Sequence, residues 1–508
     1  MTHTDQYIIP AGRMAPEAAP GIERLEAKPV NRKQDRPLYA GREKVYPKLA
    51  HGRFRSLKWL VTAVTLGIYY ALPWLHWDRG PDLPDQAVLL DMAHNRFFFF
   101  FLEIWPQEFY FVTGLLVLAA LILFLITSIA GRVWCGYTCP QTVWTDLMIV
   151  VERFWQGDRN ARIALDKRPW GTVKVFKKGM THLSWLAIGL ATGGAFVFYF
   201  RDAPMLANEL LSGTAPAIAY LFLGLFTLTT YVLGGIAREQ VCIYMCPWPR
   251  IQGAMVDHET LLVSYRTHRG EPRGPHKKGQ SWEGRGDCVD CRACVAVCPT
   301  GIDIRDGSQL ECIQCALCVD ACNEIMSKVG RPRGLIGYAT IAEQEAATKG
   351  GTVRLQLIRP RTLLYAALIC LVGVIMLAAI ANRTTLEINV LHDRNPPYVL
   401  LSDGGIRNGY TVKILNKLHQ PREFTLEPRG LPGARLAIVG MDAGATIPVA
   451  TDNLRELRVF VSLPAGELAH LKGGAAPFAL VVRDVTSLHE TARTTQFQKP
   501  AASTGGHP

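Results

Sequence analysis

Eight cysteines between positions 288 and 322 fall into two copies of one spacing. Cys288-Val-Asp-Cys291-Arg-Ala-Cys294-Val-Ala-Val-Cys298 is followed by Pro299, and Cys312-Ile-Gln-Cys315-Ala-Leu-Cys318-Val-Asp-Ala-Cys322 by Asn323. Each copy is C-x2-C-x2-C-x3-C, the run that holds iron–sulfur clusters through thiolates. So many deprotonated sulfurs in one short stretch are tolerable only around metal. In such runs the fourth Cys crosses to the other cluster. That assigns Cys288, Cys291, Cys294 and Cys322 to one [4Fe–4S] cluster and Cys312, Cys315, Cys318 and Cys298 to a second. Zinc sites built from paired C-x2-C units use four ligands each and space their pairs further apart. Asn323, where the first run has Pro299, is the visible departure from the pattern. Two adjacent clusters mean electron transfer; they name neither donor nor acceptor.

Four further cysteines form an internal repeat. Arg132-Val-Trp-Cys135-Gly-Tyr-Thr-Cys139-Pro140 and Arg238-Glu-Gln-Val-Cys242-Ile-Tyr-Met-Cys246-Pro247 each end in C-x3-C-P after an apolar run. Positions i and i+4 share a helix face, so each pair offers two sulfurs to one ion. Each Pro suits a helix break or the first turn of a following helix. Two copies related by a pseudo-two-fold would converge on a four-thiol site. Cys135, Cys139, Cys242 and Cys246 are therefore the candidate catalytic and copper-binding residues: soft thiolates, with Met245 near, suit Cu(I), and the same pairs could cycle between dithiol and disulfide. The plainer alternative is that membrane Cys pack as small hydrophobes, which is the reading for lone Cys370. The charges of Arg132 and Arg238 would lower the thiol pKa. His76, Met92 and His94 offer further copper ligands on the outer side, although a lone His or Met is usually structural. No acid–base pair, nucleophile arrangement or phosphate-binding glycine fingerprint stands out.

These groups must be positioned by a membrane core. Hydrophobic residues make up 49 % of 508, an ordinary share, but they concentrate in long runs. Five runs approach the roughly 20 residues that cross a bilayer: Trp59–Leu75, Tyr110–Ala130, Leu183–Phe200, Ala215–Ala237 and Leu363–Ala381. Val88–Trp105, which contains Phe97–Phe101 with Asp91, His94, Arg96 and Glu103, reads as an interfacial or re-entrant helix. The net charge of +12 comes from Lys and Arg that flank the apolar runs, a pattern for membrane lipid and not for nucleic acid. Arg132 to Lys178 and the loop holding the eight cysteines are basic, so the positive-inside rule puts them and the N-terminus in the cytoplasm. Five crossings then put everything after Ala381 outside. Thirteen Cys, twelve of them in paired spacings, fit metal and redox chemistry in a reducing compartment.

The resulting division is a disordered basic cytoplasmic arm (1–55), a four-crossing core with the duplicated C-x3-C-P (56–260), a cytoplasmic loop (261–359) with the ferredoxin-type region at about 279–330, a fifth crossing (360–382), an outer domain (383–490) and a disordered tail (491–508). The outer domain alternates short β-type runs (Leu386–Leu391, Tyr410–Leu415, Glu423–Leu426, Arg435–Val439, Leu457–Leu463, Phe478–Val482) with turns such as Asp403-Gly404-Gly405 and Asn408-Gly409. About 100 residues of this texture argue for a β-sandwich. It has neither Cys nor Trp, which excludes an antibody-type core.

The combination of five crossings, duplicated C-x3-C-P, a two-cluster ferredoxin loop and a sandwich opening Gly404-Gly405-Ile406-Arg407-Asn408-Gly409-Tyr410 resembles the CcoG/FixG/RdxA family, accessory proteins of cbb-type cytochrome c oxidase. The likeness spans about residues 40–490. It implies an inner-membrane oxidoreductase that reduces Cu(II) to Cu(I) during oxidase maturation. It also implies an immunoglobulin-like fold for a periplasmic sandwich, homodimers, a cytoplasmic electron donor, and contact with copper-delivery or oxidase-assembly proteins. C-x3-C-P is shared with NapH-like proteins, which makes quinone the alternative acceptor. An assembly scaffold with structural clusters is a third reading.

Overall fold

The computed structural model describes residues 24–31, 43–80, 83–277, 279–383, 386–417, 420–442, 444–451, 453–468, 470–471 and 474–500. Two compact units divide the chain, one reaching to Met376 and one comprising 79–83 with Leu377 onward.

In the first unit, α1 (Arg53–Ala71) is followed by a 3-10 turn at Leu72-Pro73-Trp74. The segment 88–105 is not a helix. It is a three-stranded antiparallel sheet of β1 (Val88–Asp91), β2 (Arg96–Phe99) and β3 (Leu102–Ile104). Aromatic residues favour strands, and Asn95 and Phe100, at φ 55° and 52°, make the two turns. Buried Glu103 pairs with Arg96 at 3.4 Å, so the charges that suggested an interface serve the sheet.

Next come α2 (Tyr110–Ala130), α3 (Val133–Tyr137), the amphipathic α4 (Pro140–Gln156), α5 (Arg159–Lys167), α6 (Thr172–Val197), α7 (Ala203–Ser212) and α8 (Ala217–Thr229). The last runs on as a π-helix over Thr230–Ala237, a second π-turn spans Val241–Met245, and α9 is Trp248–Met255. Among the described residues four helices are long and apolar enough to span: Tyr110–Ala130, Thr172–Val197, Ala217–Ala237 and, after the cluster region, α14 (below). The first predicted crossing, Trp59–Leu75, begins within α1 just after its charged start (Arg53, Arg55 and Lys58) and ends beyond the 3-10 turn, so the helix itself supplies only its part up to Ala71.

Strand β4 (Leu262–Tyr265) pairs with β5 (Ile336–Ala339) and closes the base of the cluster region. Between them lie the short α10 (Thr267–Gly270), α11 (Ala293–Ala296) and α12 (Leu317–Lys328); α13 (Ile341–Thr348) and α14 (Pro360–Ala381) follow β5. None of the apolar window of α14 is buried by the chain, as a lipid-facing helix requires. Cys370 is exposed on it and does not pack.

The arm expected to be disordered is in part structural. Leu25, Ala27 and Ala50 join the core around the cluster cysteines. Leu25 N–H donates to Cys291 O at 3.1 Å and Lys48 N–H to Ala296 O at 2.7 Å. Residues 1–23 and 32–42 lie outside the described ones.

The second unit is an antiparallel sandwich. One sheet orders β10 (Arg435–Ile438), β12 (Asn453–Leu463), β8 (Ile406–Asn416) and β6 (Leu386–His392), with β7 (Val399–Leu400) also on β8. The other orders β11 (Ile447–Val449), β9 (Arg422–Arg429), β13 (Ala475–Asp484) and β14 (Glu490–Gln498). Alternate residues such as Tyr410, Val412, Ile414, Val459, Val461, Leu480 and Val482 fill the space between them. Two expectations fail here. The tail does not begin at 491: β14 is an edge strand, polar except for Ala492 and the fully buried Phe497; residues 501–508 lie outside the described ones. Asn408-Gly409 is not a turn but lies within β8. Buried Asn408 exchanges two hydrogen bonds with the Gln498 backbone (2.9 and 2.8 Å), and a Cβ on Gly409 would collide with the Asp393 carboxylate.

Candidate electron-transfer site

The eight cluster-region thiols surround two cavities. Cys288, Cys291, Cys294 and Cys322 line one. Cys298, Cys312, Cys315 and Cys318 line another, with Cys294 also in its wall. Cys298 and Cys322 thus each sit with the opposite run. The loops take the same path: Asp290 and Arg292 flank Cys291 at φ 50° and 57°, and Gln314 and Ala316 flank Cys315 at 56° and 58°. A left-handed conformation costs a non-glycine residue about 1–2 kcal/mol, and such strain persists where the surroundings impose it. None of the four is Gly, so no residue type announces this winding.

The winding turns backbone N–H groups to sulfur: Ala293 to Cys291, Gln314 to Cys312, Leu317 to Cys315 and Ile336 to Cys322. Burial pushes Cys312 and Cys322 up to about 12 and Cys294 and Cys318 well above the ordinary thiol range. Only bound cations would hold such thiols as thiolates. Four soft donors with amide N–H support around each cavity fit a [4Fe–4S] cluster. Among the described residues no three His, Cys, Asp or Glu side chains converge on a single ion; a four-iron cluster stands between its ligands, so its thiols are spread more widely.

Asn323 explains its own departure. Pro299 follows a helix of one turn, whereas Asn323 lies inside α12, which continues to Lys328. Its Oδ1 accepts the Gly334 N–H at 2.8 Å and ties down the strand that follows.

The membrane copies share a turn. Gly131, after α2, has φ 56° and ψ −119°; Arg238, four residues before Cys242 as Gly131 is before Cys135, has 47° and −116°. Each pair does not lie on one face of a continuous helix, as i, i+4 spacing suggested. Cys135 is in α3 and Cys242 in a π-turn, while Cys139 and Cys246 have extended backbone, ψ 126° and 122°. Pro140 then starts α4. The four thiols still form one electrostatic group: Cys135 feels Cys139 and Cys246, and Cys242 feels Cys139, Cys135 and Cys246. Burial raises Cys135, and raises Cys242 to about 12, while Arg132 acts against both shifts. Arg238 does not act so; it is held by Glu152 at 2.9 Å and the Gly235 carbonyl at 2.7 Å. Met245 is exposed. His94 is engaged by Asp91 at 2.7 Å, and His76 pairs through its backbone with Gln86.

The first membrane motif packs directly on the second cluster loop. A Cβ on Gly136 would stand 2.7 Å from Ile313 O and 3.0 Å from Cys315 N and Cα. Tyr137 Oη donates to Cys315 O at 3.2 Å, Arg132 N–H donates to Gln314 Oε1 at 3.0 Å, and the Arg132 guanidinium bonds the Leu310 carbonyl. Cys242 reaches the same loop across a small cavity lined also by Lys58, Asp146, Glu239, Thr300 and Ile313.

Sequence reasoning missed the residues that fix these motifs. Gln252, fully buried, accepts from Cys135 Sγ at 3.2 Å. Asp146 takes Arg55 at 2.8 Å. Glu152 gathers Lys44, Arg162 and Arg238 at 3.0, 3.0 and 2.9 Å. The amphipathic pattern of α4 was the available signal: two acids on its buried face require cations from elsewhere.

Residues 237–341 match a family profile described as a 4Fe-4S dicluster domain, 112–156 a 4Fe-4S binding domain, and 376–500 the IG-like fold at the C-terminal of FixG. The chain is 51 % identical over 521 residues to nitrogen fixation protein FixG of Rhizobium meliloti, covering 96 % of this chain and 99 % of FixG. It is 54 % identical over 432 residues to protein RdxB of Cereibacter sphaeroides (84 % and 90 % covered). It is 25 % identical over 228 residues to ferredoxin-type protein NapH of Haemophilus influenzae (42 % and 67 %).

Proposed function

The chain belongs to the CcoG/FixG/RdxA family of membrane iron–sulfur electron-transfer proteins, and from that premise we propose that it reduces Cu(II) to Cu(I) at the C-x3-C-P thiols for maturation of a cbb-type oxidase. Cys288, Cys291, Cys294 and Cys322 would hold one cluster and Cys298, Cys312, Cys315 and Cys318 the other. The clusters, when bound, supply one-electron storage and transfer. The observation that carries the reading is the seating of Gly136 and Tyr137 on the Ile313–Cys315 backbone, which joins the first thiol pair to a cluster loop by direct packing. Cu(II) gains one electron in becoming Cu(I), and no proton moves, so no acid–base residue is required. Thiolates of Cys135, Cys139, Cys242 and Cys246 favour the Cu(I) product. The positive-inside rule, applied to the basic second loop and cluster region, supports a cytoplasmic donor and a periplasmic sandwich, where copper-delivery or oxidase-assembly proteins would meet it.

The test is anaerobic. The clusters are reduced chemically, Cu(II) is added, and cluster bleaching is followed together with Cu(I) captured by a selective chelator. One Cu(I) per electron is expected, with loss of that yield but not of the clusters in C135S/C139S. Clusters that stay reduced under Cu(II) yet are oxidised by a quinone analogue would overturn copper as acceptor.

A further inference from the structure

We propose that the cavity between the start of α1 and the end of α4 holds the phosphate of an anionic phospholipid, gripped by Arg55 and Arg153. The inference needs neither the clusters nor copper, and stands or falls separately from the acceptor.

The cavity has a volume of about 520 Å³, within the range of small-ligand sites. Arg55, Arg153, His51 and Ser56 line it together with Trp59 and Phe154. Neither Asp146 nor Asp158, the acids that meet the two arginines, lies in its wall, so no carboxylate there opposes an anion.

Both guanidinium groups have donors to spare. The Arg55 side chain is 6 % exposed, and only its Nη1 serves Asp146, at 2.8 and 2.9 Å. Its Nε and Nη2 have no hydrogen-bond partner among the described residues. Arg153 Nη2 donates to the Pro47 and Lys48 carbonyls at 3.2 and 3.3 Å, while Asp158 stands 3.6 Å from Nε, too far for a hydrogen bond. Arg153 Nη1 is without a partner as well. Buried N–H groups are seldom left unpaired. Burial and the charges of Arg162 and Arg55 lower Arg153 to about 10, although Asp146 and Asp158 act the other way; it remains a cation at neutral pH. Two forked cations with free N–H groups on one cavity match the several oxygens of a phosphate, which charge-assisted bonds hold most strongly.

The rest of the wall selects a lipid as the carrier of that phosphate. Trp59 lies under the Arg55 guanidinium, 4.5 Å from ring centroid to Cζ, and Phe154 is 77 % exposed. Leu60 and Val64 follow Ser56 at successive i+4 steps on α1 and are exposed. A polar cavity thus adjoins an apolar stripe, as a headgroup with acyl chains requires, and Trp is the residue of that boundary. The same grip would brace the protein, because Arg153 holds the arm at Pro47 and Lys48 and the N–H groups of Phe54 and Arg55 cap Asp320 of α12.

For the test, full-length protein delipidated in detergent is titrated with short-chain phosphatidylglycerol, phosphatidylcholine or inorganic phosphate. Retained lipid is counted by native mass spectrometry, and the melting temperature is followed in parallel. One phosphatidylglycerol should be held on the order of tenfold more tightly than phosphatidylcholine, as two arginines at a lipid surface supply. R153M should abolish that preference. S56F, which fills the cavity and changes no charge, should abolish it too, and it leaves the contacts of Arg153 with the arm intact. Equal retention of the two lipids, or a preference that survives in either variant, overturns the site. Inorganic phosphate that raises the melting temperature as much as phosphatidylglycerol does overturns the lipid as its occupant.

Discussion

Replacing Glu152 by Gln removes the one negative charge from a point where three cations meet. The carboxylate is 1 % exposed, and Arg238, Arg162 and Lys44 lie 2.9, 3.0 and 3.0 Å from it. Burial works to raise this carboxyl, but Arg238, Lys44 and Arg162 outweigh it and hold it at about 2, from 4.5. At about 1.36 kcal/mol per pH unit the difference is worth on the order of 3 kcal/mol. That agrees with the roughly 3–5 kcal/mol lost when one partner of a buried pair is removed, since Arg162 and Arg238, at 0 % and 3 % side-chain exposure, would be left uncompensated. Thermal unfolding in detergent, followed by Trp fluorescence at pH 7, should show E152Q melting roughly 3–5 °C lower. The folded carboxyl titrates below the unfolded one, so its contribution is present above about pH 4.5 and is lost as pH falls towards 2. The gap between wild type and E152Q must therefore narrow between pH 5 and pH 3. Equal melting at pH 7, or a gap that does not narrow in acid, refutes the reasoning. The variant also bears on chemistry, because Glu152 holds Arg238 in the strained turn that presents Cys242.

N323P, which would restore the second run to the pattern of the first, should cost about 3 kcal/mol by interrupting α12; iron analysis should then show loss of the cluster bound through Cys322, and full iron content would contradict the account given of Asn323. G136A puts a methyl group 2.7 Å from the Ile313 carbonyl, against backbone that cannot swing aside. Overpacking of this kind costs about 1–3 kcal/mol, and stopped-flow spectroscopy should find iron content retained but copper-driven cluster oxidation slowed; an unchanged rate would remove this contact from the electron route.

The cysteines were legible because chemistry constrains their spacing: a cubane needs three ligands from one loop whatever the rest of the chain does. The membrane spans were legible because lipid admits only long apolar helices. What stayed hidden was determined by tertiary partners. Phe97–Phe101 reads as apolar without period, and only pairing of β2 with β1 and β3 makes it a strand. The Glu490–Gln498 stretch is polar because it forms an edge, and Phe497 alone ties it to the core. The basic arm and the loop from Arg132 to Lys178 looked like lipid-flanking charge, yet Lys44, Arg162 and Lys178 are spent on Glu152 and Asp166, and Arg55 on Asp146. A charge count cannot distinguish a solvated cation from one that neutralises a buried acid; the two carboxylates on the inner face of α4 can. The repeat shows the same limit at one position. Gly131 and Arg238 adopt nearly the same backbone, but only the first announces it by residue type. In the second copy the conformation is imposed from outside, by Glu152 of the first copy's own helix, so the two halves of the thiol site are held by each other.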